Sequence, residues 1–325
     1  MKQGMTICYL VLYSLLSGIF FFSCSKQPTN YYRKIELNSK YFIVGKYSIP
    51  AEVTTEVNCY HFVYGKDGKL VKVEYLKAGK LSIDPEYGVA SIKIEYSNGF
   101  EKRIYQGVRG EQIKSNDWVY SVKLERNEKN NSVSLFNCDK EDKVITDRMG
   151  VASILLKYDT KGNGEERYFD PNGEPKEDFE GVAITRCKYD KRGNNIEEKY
   201  FNINGRAEER WGIAMIRWKY DKHGNKIEKS HFGRDNRLKK LLHGFAIVRW
   251  KYDRCGNIIE RRVYEHRKVF KIFKLLSADH RGIAILRYKY DERGNVIEER
   301  RFDIFDKLTE KADNVAIVRW KYDWY

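Results

Sequence analysis

The stretch Ala214-Met215-Ile216-Arg217-Trp218-Lys219-Tyr220-Asp221-Lys222-His223-Gly224-Asn225 decides the fold of this 325-residue chain. Its first seven residues alternate. Ala214, Ile216, Trp218 and Tyr220 fall on one face, Met215, Arg217 and Lys219 on the other, and a period of two is the signature of a β-strand. The next residues read as a reversal. Asp suits the first position of a type I turn, and Gly tolerates the left-handed conformation that closes a three-residue hairpin loop with a bulge. A second strand then follows.

The pattern recurs. Tyr158-Asp159, Tyr189-Asp190, Tyr220-Asp221, Tyr252-Asp253 and Tyr290-Asp291 each precede x-x-Gly-Asn, and a sixth copy begins at Lys321-Tyr322-Asp323. The tyrosines are 31, 31, 32, 38 and 32 residues apart. A fixed period in this range marks a repeat architecture. Weaker copies at Tyr64, Tyr96 and Arg126 extend it upstream. The expectation is an all-β fold, an elongated twisted array of about nine antiparallel hairpins between residues 56 and 325. Residues 56–150 hold the degenerate repeats and residues 151–325 the well-formed ones. Open sheet, superhelix and closed ring all fit the period.

The K-Y-D-x-x-G-N-x-I-E-E repeat resembles the YD repeats of RHS-type bacterial proteins and of related hairpin-repeat lipoproteins of unknown function. The resemblance implies a β-hairpin array and no particular activity. In RHS proteins such repeats build a shell around a toxin. This chain is short for a closed shell, and no toxin domain follows its repeats, so that role is not carried over.

The N-terminus gives an address. Lys2 is followed by an almost wholly apolar run from Ile7 to Phe22, and then by Ser23 and Cys24. A charged start, a short apolar core and a small residue before the cut are the marks of a secretory signal. Phe21-Phe22-Ser23-Cys24 resembles a loose lipobox. The expectation is a signal peptide at 1–23, lipidation at Cys24, and a tether and entry segment over 24–55. Ser25 after the cysteine resembles an outer-membrane sorting signal. The alternatives are an uncleaved signal anchor and plain secretion. Four cysteines remain: Cys59, Cys138, Cys187 and Cys255. They form no C-x-x-C pair and have no histidine at zinc spacing. Free thiols, or at most one bridge, are expected, with Cys187 a small core residue. No metal or cofactor is expected, since the Asp and Asn of each turn are already explained by turn chemistry.

Charge is the one functional signal above background. The chain carries +15 overall, and the window 206–274 alone carries +12. In the register of an unbroken three-residue loop, Arg186 would face Glu198 and Arg287 would face Glu299. Arg217 would meet Lys229 and Arg249 would meet Arg261. Like charges opposite one another destabilise a sheet, so the middle repeats would accept a cost that their neighbours avoid. This marks Arg217, Lys219, Lys229, Arg249, Lys251, Arg261 and Arg262 as a candidate face for an anionic partner. Anionic lipid, lipopolysaccharide, an acidic glycan or an acidic protein are the candidates, ahead of nucleic acid.

In the longest unit, Val269, Ile272, Phe273 and Leu276 follow helical spacing. Lys268, Phe270, Lys271, Phe273 and Lys274 then mark a short basic helix that packs on the sheet edge or faces a membrane. Adjacent carboxylates such as Glu197-Glu198 point to opposite strand faces, the wrong geometry for a two-carboxylate hydrolase. A glycan-acting enzyme is therefore the weakest reading. A non-enzymatic binding or scaffold lipoprotein leads, and a passive surface protein is the alternative.

Overall fold

The computed structural model describes residues 30–322, apart from residues 98, 130, 211, 242–243, 266–274, 277–281 and 311–313. Within them the chain forms one sheet of 21 strands with antiparallel neighbours, and a single short 3-10 turn at Ala51–Val53. The fold is thus the expected β-hairpin array. Eight hairpins follow one another, from Cys59–Tyr64 with Leu70–Lys77 to Ile285–Tyr290 with Val296–Phe302, and Ile317–Arg319 opens a ninth unit.

The turns are built as the residues predict. In the 190–194 turn, Oδ1 of Asp190 accepts the backbone N–H of Arg192 and Asn194 at 2.8 and 2.9 Å, and Oδ2 accepts the Asn194 amide. Gly193 sits at φ 81°, in the left-handed region where glycine avoids the Cβ clash. The same bonds recur at Asp159, Asp221 and Asp253.

One residue beyond the turn, the register departs from expectation. Tyr189 pairs with Asn195, as an unbroken loop requires, but Lys188 pairs with Glu197. A bulge at Ile196 shifts every later pair by one, and equivalent shifts lie before Tyr220, Tyr252 and Tyr290. Arg186 therefore faces Lys199, Arg217 faces Ser230, Arg249 faces Arg262 and Arg287 faces Arg300. The anticipated contrast between middle and flanking repeats disappears: like charges sit opposite one another in both.

Adjacent hairpins share few ladder pairs. Glu228, Lys229 and Ser230 pair with Arg249, Val248 and Ile247, and toward the Tyr-Asp turns no further pair joins the two strands. The repeat tyrosine bridges this gap. The hydroxyls of Tyr220, Tyr252, Tyr290 and Tyr322 donate to the carbonyls of Asn195, Lys226, Ile258 and Val296 at 2.6–3.0 Å. Each acceptor is the residue just after the preceding Gly-Asn. A Tyr252→Phe substitution keeps the ring and removes one such bond. It is expected to cost about 1 kcal/mol in chemical denaturation; an unchanged midpoint would show the bridge to be incidental.

Residues 31–49 fell within the expected tether and entry segment, yet they form a hairpin of their own, Tyr31–Leu37 with Ile43–Ile49. Tyr31 and Tyr32 pair with His61 and Tyr60, and the rest of the hairpin then leaves the sheet and crosses its inner face. Tyr158 donates to the Ser39 carbonyl, and Tyr41 donates to Glu166 at 3.0 Å. Lys46, Lys34 and Arg33 donate to the carbonyls of Gly224, Gly256 and Arg293. The sheet therefore curls around its own first hairpin. The curl brings its ends together: Asn58 N–H donates to the Arg293 carbonyl at 2.9 Å, and Lys77 lies over the Tyr322 ring. The sheet stays open in hydrogen bonding, with Ile43–Ile49 and Ile317–Arg319 at its edges. Its inside is occupied by side chains and the hairpin.

The core follows the inner face. Position two before each repeat tyrosine, or before Arg126 in the third unit, is Phe62, Ile94, Leu124, Leu156 and Cys187 in the first units, all nearly inaccessible. It becomes Trp218, Trp250 and Tyr288, half-buried, and then Trp320, 40% exposed. Cys187 is the small core residue expected, and the four cysteines are free thiols.

Candidate anion-binding face

The seven candidate cations do not share one face. Strand parity puts Arg217, Lys219, Arg249, Lys251 and Arg262 on the outer face, and Lys229 and Arg261 on the inner one, opposite Trp218 and Trp250. The bulge is the reason, because it moves each second strand by one residue relative to the unbroken register. Lys229 stands over the Trp218 ring at 4.8 Å, and burial pulls its pKa down. Arg261 lies over Phe245 at 5.5 Å.

The outer-face residues belong to a ladder that runs across the last five units. Glu197 accepts from Lys188 of its own hairpin at 2.9 Å and from Arg217 of the next at 2.7 Å. Glu228 joins Lys219 and Arg249 in the same way. Glu260 joins Lys251, Arg262 and Arg287, and Glu298 joins Lys289, Arg300 and Arg319. These carboxylates are only 6–7% exposed. The hydrogen bond from Arg262, ahead of those from Lys251 and Arg287, pulls the Glu260 carboxyl down to about 2. Arg319, Arg300 and Lys289 do the same to Glu298, also to about 2.

One arginine in each of four successive hairpins has a second contact. Arg186, Arg217, Arg249 and Arg287 lie 4.4–5.0 Å over the rings of Phe201, Phe232, Tyr264 and Phe302, each in the arginine's own hairpin. A guanidinium that is ion-paired along one edge and stacked on its face is part of the packing. The lysines are held at one end only. Side chains of Lys188, Lys219, Lys251 and Lys289 are 56–66% exposed. Charge counting alone missed this division of labour. The signal that carries it is the fixed order Arg-x-Lys-Tyr-Asp on one strand and Glu on the next. A shallow open groove of about 670 Å³ runs beside Lys219, Glu228, Arg249, Lys251, Glu260 and Arg262.

The other sequence candidates are dispersed. Glu197 and Glu198 do point to opposite faces: Glu198 accepts from Tyr200 and Asn195 on the inner side. His231 is buried with one ring nitrogen 3.0 Å from the Ala246 carbonyl, and desolvation lowers its pKa to about 4. Glu166, beneath Tyr41, is raised by desolvation to about 7. Among the described residues no group of three or more His, Cys, Asp or Glu side chains is placed to hold a metal. Cys24 and the basic segment Lys268, Phe270, Lys271, Phe273 and Lys274 lie outside the described residues. At the end of that segment, Leu275–Leu276 is a short strand paired with Tyr264 and Glu265, which replaces the expected end of a helix.

No protein family profile and no curated protein matches the chain. Several solved toxin structures are similar to it at low identity. They include TcdB2-TccC3 with Cdc42, at 15% identity and TM-score 0.27, over 75% of this chain and 14% of that one. TcdB2-TccC3 without its hypervariable C-terminal region matches at 14% identity and TM-score 0.25, over 75% and 14%. The Tc holotoxin pore of Photorhabdus luminescens matches at 12% identity and TM-score 0.25, over 74% and 12%. The chain spans 12–14% of the length of these chains.

Proposed function

We propose that the chain is a lipid-anchored, non-catalytic protein of the bacterial cell envelope whose outer face binds an anionic component. Lipopolysaccharide, an acidic glycan or an acidic protein face fits that description. The observation that carries the reading is the ratio within the ladder. Each glutamate is shared by two or three cations, so every unit keeps a positive excess, and one lysine per unit extends from it into solvent. Antiparallel strands are about 4.8 Å apart, so these lysines recur about every 10 Å along the curl. Such a row suits a linear polyanion or a regularly charged surface. The anchor is supported by the apolar run Ile7 to Phe22 and by Cys24 behind it.

The test replaces Lys188, Lys219, Lys251 and Lys289 together by Gln. The arginines, and with them the packing, stay intact. Binding to heparin and to lipopolysaccharide is followed across a salt series. Affinity at low salt is expected to fall about tenfold and its salt dependence to flatten. Equal binding by the variant and the native chain would remove the outer face as a binding site and leave the passive surface protein.

A further inference from the structure

Four successive hairpins, the fifth to the eighth, place two comparable residues on the inner face of their second strand. Opposite the repeat tyrosine stands Asn195, Lys226, Ile258 or Val296, and opposite the residue two positions earlier stands Glu198, Lys229, Arg261 or Glu299. In the fifth unit the charge is satisfied within the strand: Glu198 accepts from the Asn195 amide at 2.8 Å and from the Tyr200 hydroxyl at 2.9 Å. In the eighth, Glu299 accepts from Arg301 at 2.8 Å. In the seventh, a single cation, Arg261, lies over Phe245. Only the sixth unit carries lysines at both positions.

Lys226 and Lys229 converge on one ring. Their ammonium nitrogens lie 4.3 and 4.8 Å from the Trp218 centroid. Among the described residues neither lysine is ion-paired. Glu198 attracts Lys229 through space, but its oxygens are engaged by Asn195 and Tyr200. Lys226 is exposed and Lys229 half-buried, so the pair is open to a small solute. The indole Nε1–H of Trp218 is buried and has no acceptor among the described residues. Trp250, stacked 6.5 Å away at 21°, and Leu241 hold the ring in place. Two like charges brought together repel, and a buried donor left without an acceptor costs its desolvation. An oxyanion between them relieves both. A monoanion would leave one ammonium uncompensated, whereas a phosphate group brings about two negative charges at neutral pH and three or more acceptor oxygens.

We infer that the sixth unit binds a phosphate group on the inner face of the curl, through the ammonium groups of Lys226 and Lys229 and the indole N–H of Trp218. The site lies across the sheet from the outer ladder and stands whether or not that ladder binds anything. One phosphate per chain is expected, because Glu198 and Glu299 repel an anion at the matching places in the fifth and eighth units.

The test uses the full chain in a neutral detergent and a phosphate-free buffer, with its indole nitrogens isotopically labelled. Inorganic phosphate is titrated in, and Trp218→Phe identifies the Trp218 N–H resonance. That resonance is expected to move saturably, and calorimetry to count one phosphate per chain. Acetate at the same concentrations should move it far less. Lys226→Gln and Lys229→Met are each expected to weaken phosphate binding about tenfold. Methionine keeps an apolar stem over the ring; should that variant fail to fold, the exposed Lys226→Gln decides alone. Joint replacement of Lys188, Lys219, Lys251 and Lys289 by Gln should leave phosphate binding as it is in the native chain. A Trp218 resonance that ignores phosphate would overturn the inference, as would an equal response to acetate or native affinity in Lys226→Gln. Loss of phosphate binding in the outer-face variant would also overturn it, since the anion would then belong to the ladder.

Discussion

Gly45→Val is expected to lower the thermal midpoint by roughly 6–10 °C, equivalent to about 3–4 kcal/mol in a chain of this size. A Cβ on Gly45 would lie 2.2 Å from Cγ of Tyr32. That ring is held against Phe62, centroids 4.8 Å apart, so it has little room to retreat. The hairpin must then shift or leave the inner face. Its departure would unpair the Gly256 and Gly224 carbonyls, take one of two donors from the Arg293 carbonyl, and expose Glu166 and Tyr158. The cost should therefore appear far from residue 45. Amide exchange is expected to quicken at the 221–225, 253–257 and 291–295 turns. Loss of protection confined to residues 31–49 would show the hairpin to be a passenger. The point bears on cooperativity. Repeat arrays normally couple neighbour to neighbour, whereas here one hairpin ties the first unit to the eighth.

Glu260→Gln is expected to cost about 1–2 kcal/mol at pH 7, since it removes the carboxylate shared by Lys251, Arg262 and Arg287, of which the two arginines keep Asp306. The effect should depend on pH. The Glu260 carboxyl is held at about 2 in the folded chain, against 4.5 for an unhindered glutamate. A depressed carboxyl stabilises the fold fully above its unfolded value, and that contribution is lost as pH falls through the folded one. The gap between variant and native chain in urea midpoint should thus be full at pH 6–7 and shrink between pH 4.5 and 2. A gap that stays constant down to pH 2 would mean that the glutamate acts through shape alone. Glu298, held at about 2 by Arg319, Arg300 and Lys289, adds to the same acid sensitivity.

Much of the fold was legible because its determinants are local. Asp190, Gly193 and Asn194 close their turn with bonds spanning at most four residues, so a single copy of the motif predicts it. The inner face was legible from alternation, and Ile216, Trp218 and Tyr220 do line it. The register was not, because Ile196 and its counterparts in later repeats are extra residues that alternation cannot reveal. One bulge was enough to move Lys229 and Arg261 to the inner face. Arg217, Lys219, Arg249, Lys251 and Arg262 share the outer face, and the glutamates they share stand on a neighbouring strand where charge counting does not place them.

By itself the sequence determined the repeat period, the turn chemistry and the faces of each hairpin's first strand, since each rests on contacts within about thirty residues. Only the tertiary structure decided that the array curls until Asn58 meets Arg293, and that residues 31–49 fill the curl. Twist accumulates over strands whose individual residues carry no record of the sum, and the hairpin's partners across the inner face lie from 62 to 260 residues away. The division between arginines used in packing and lysines left in solvent was decided there too, because it depends on which ring and which carboxylate the next hairpin brings alongside.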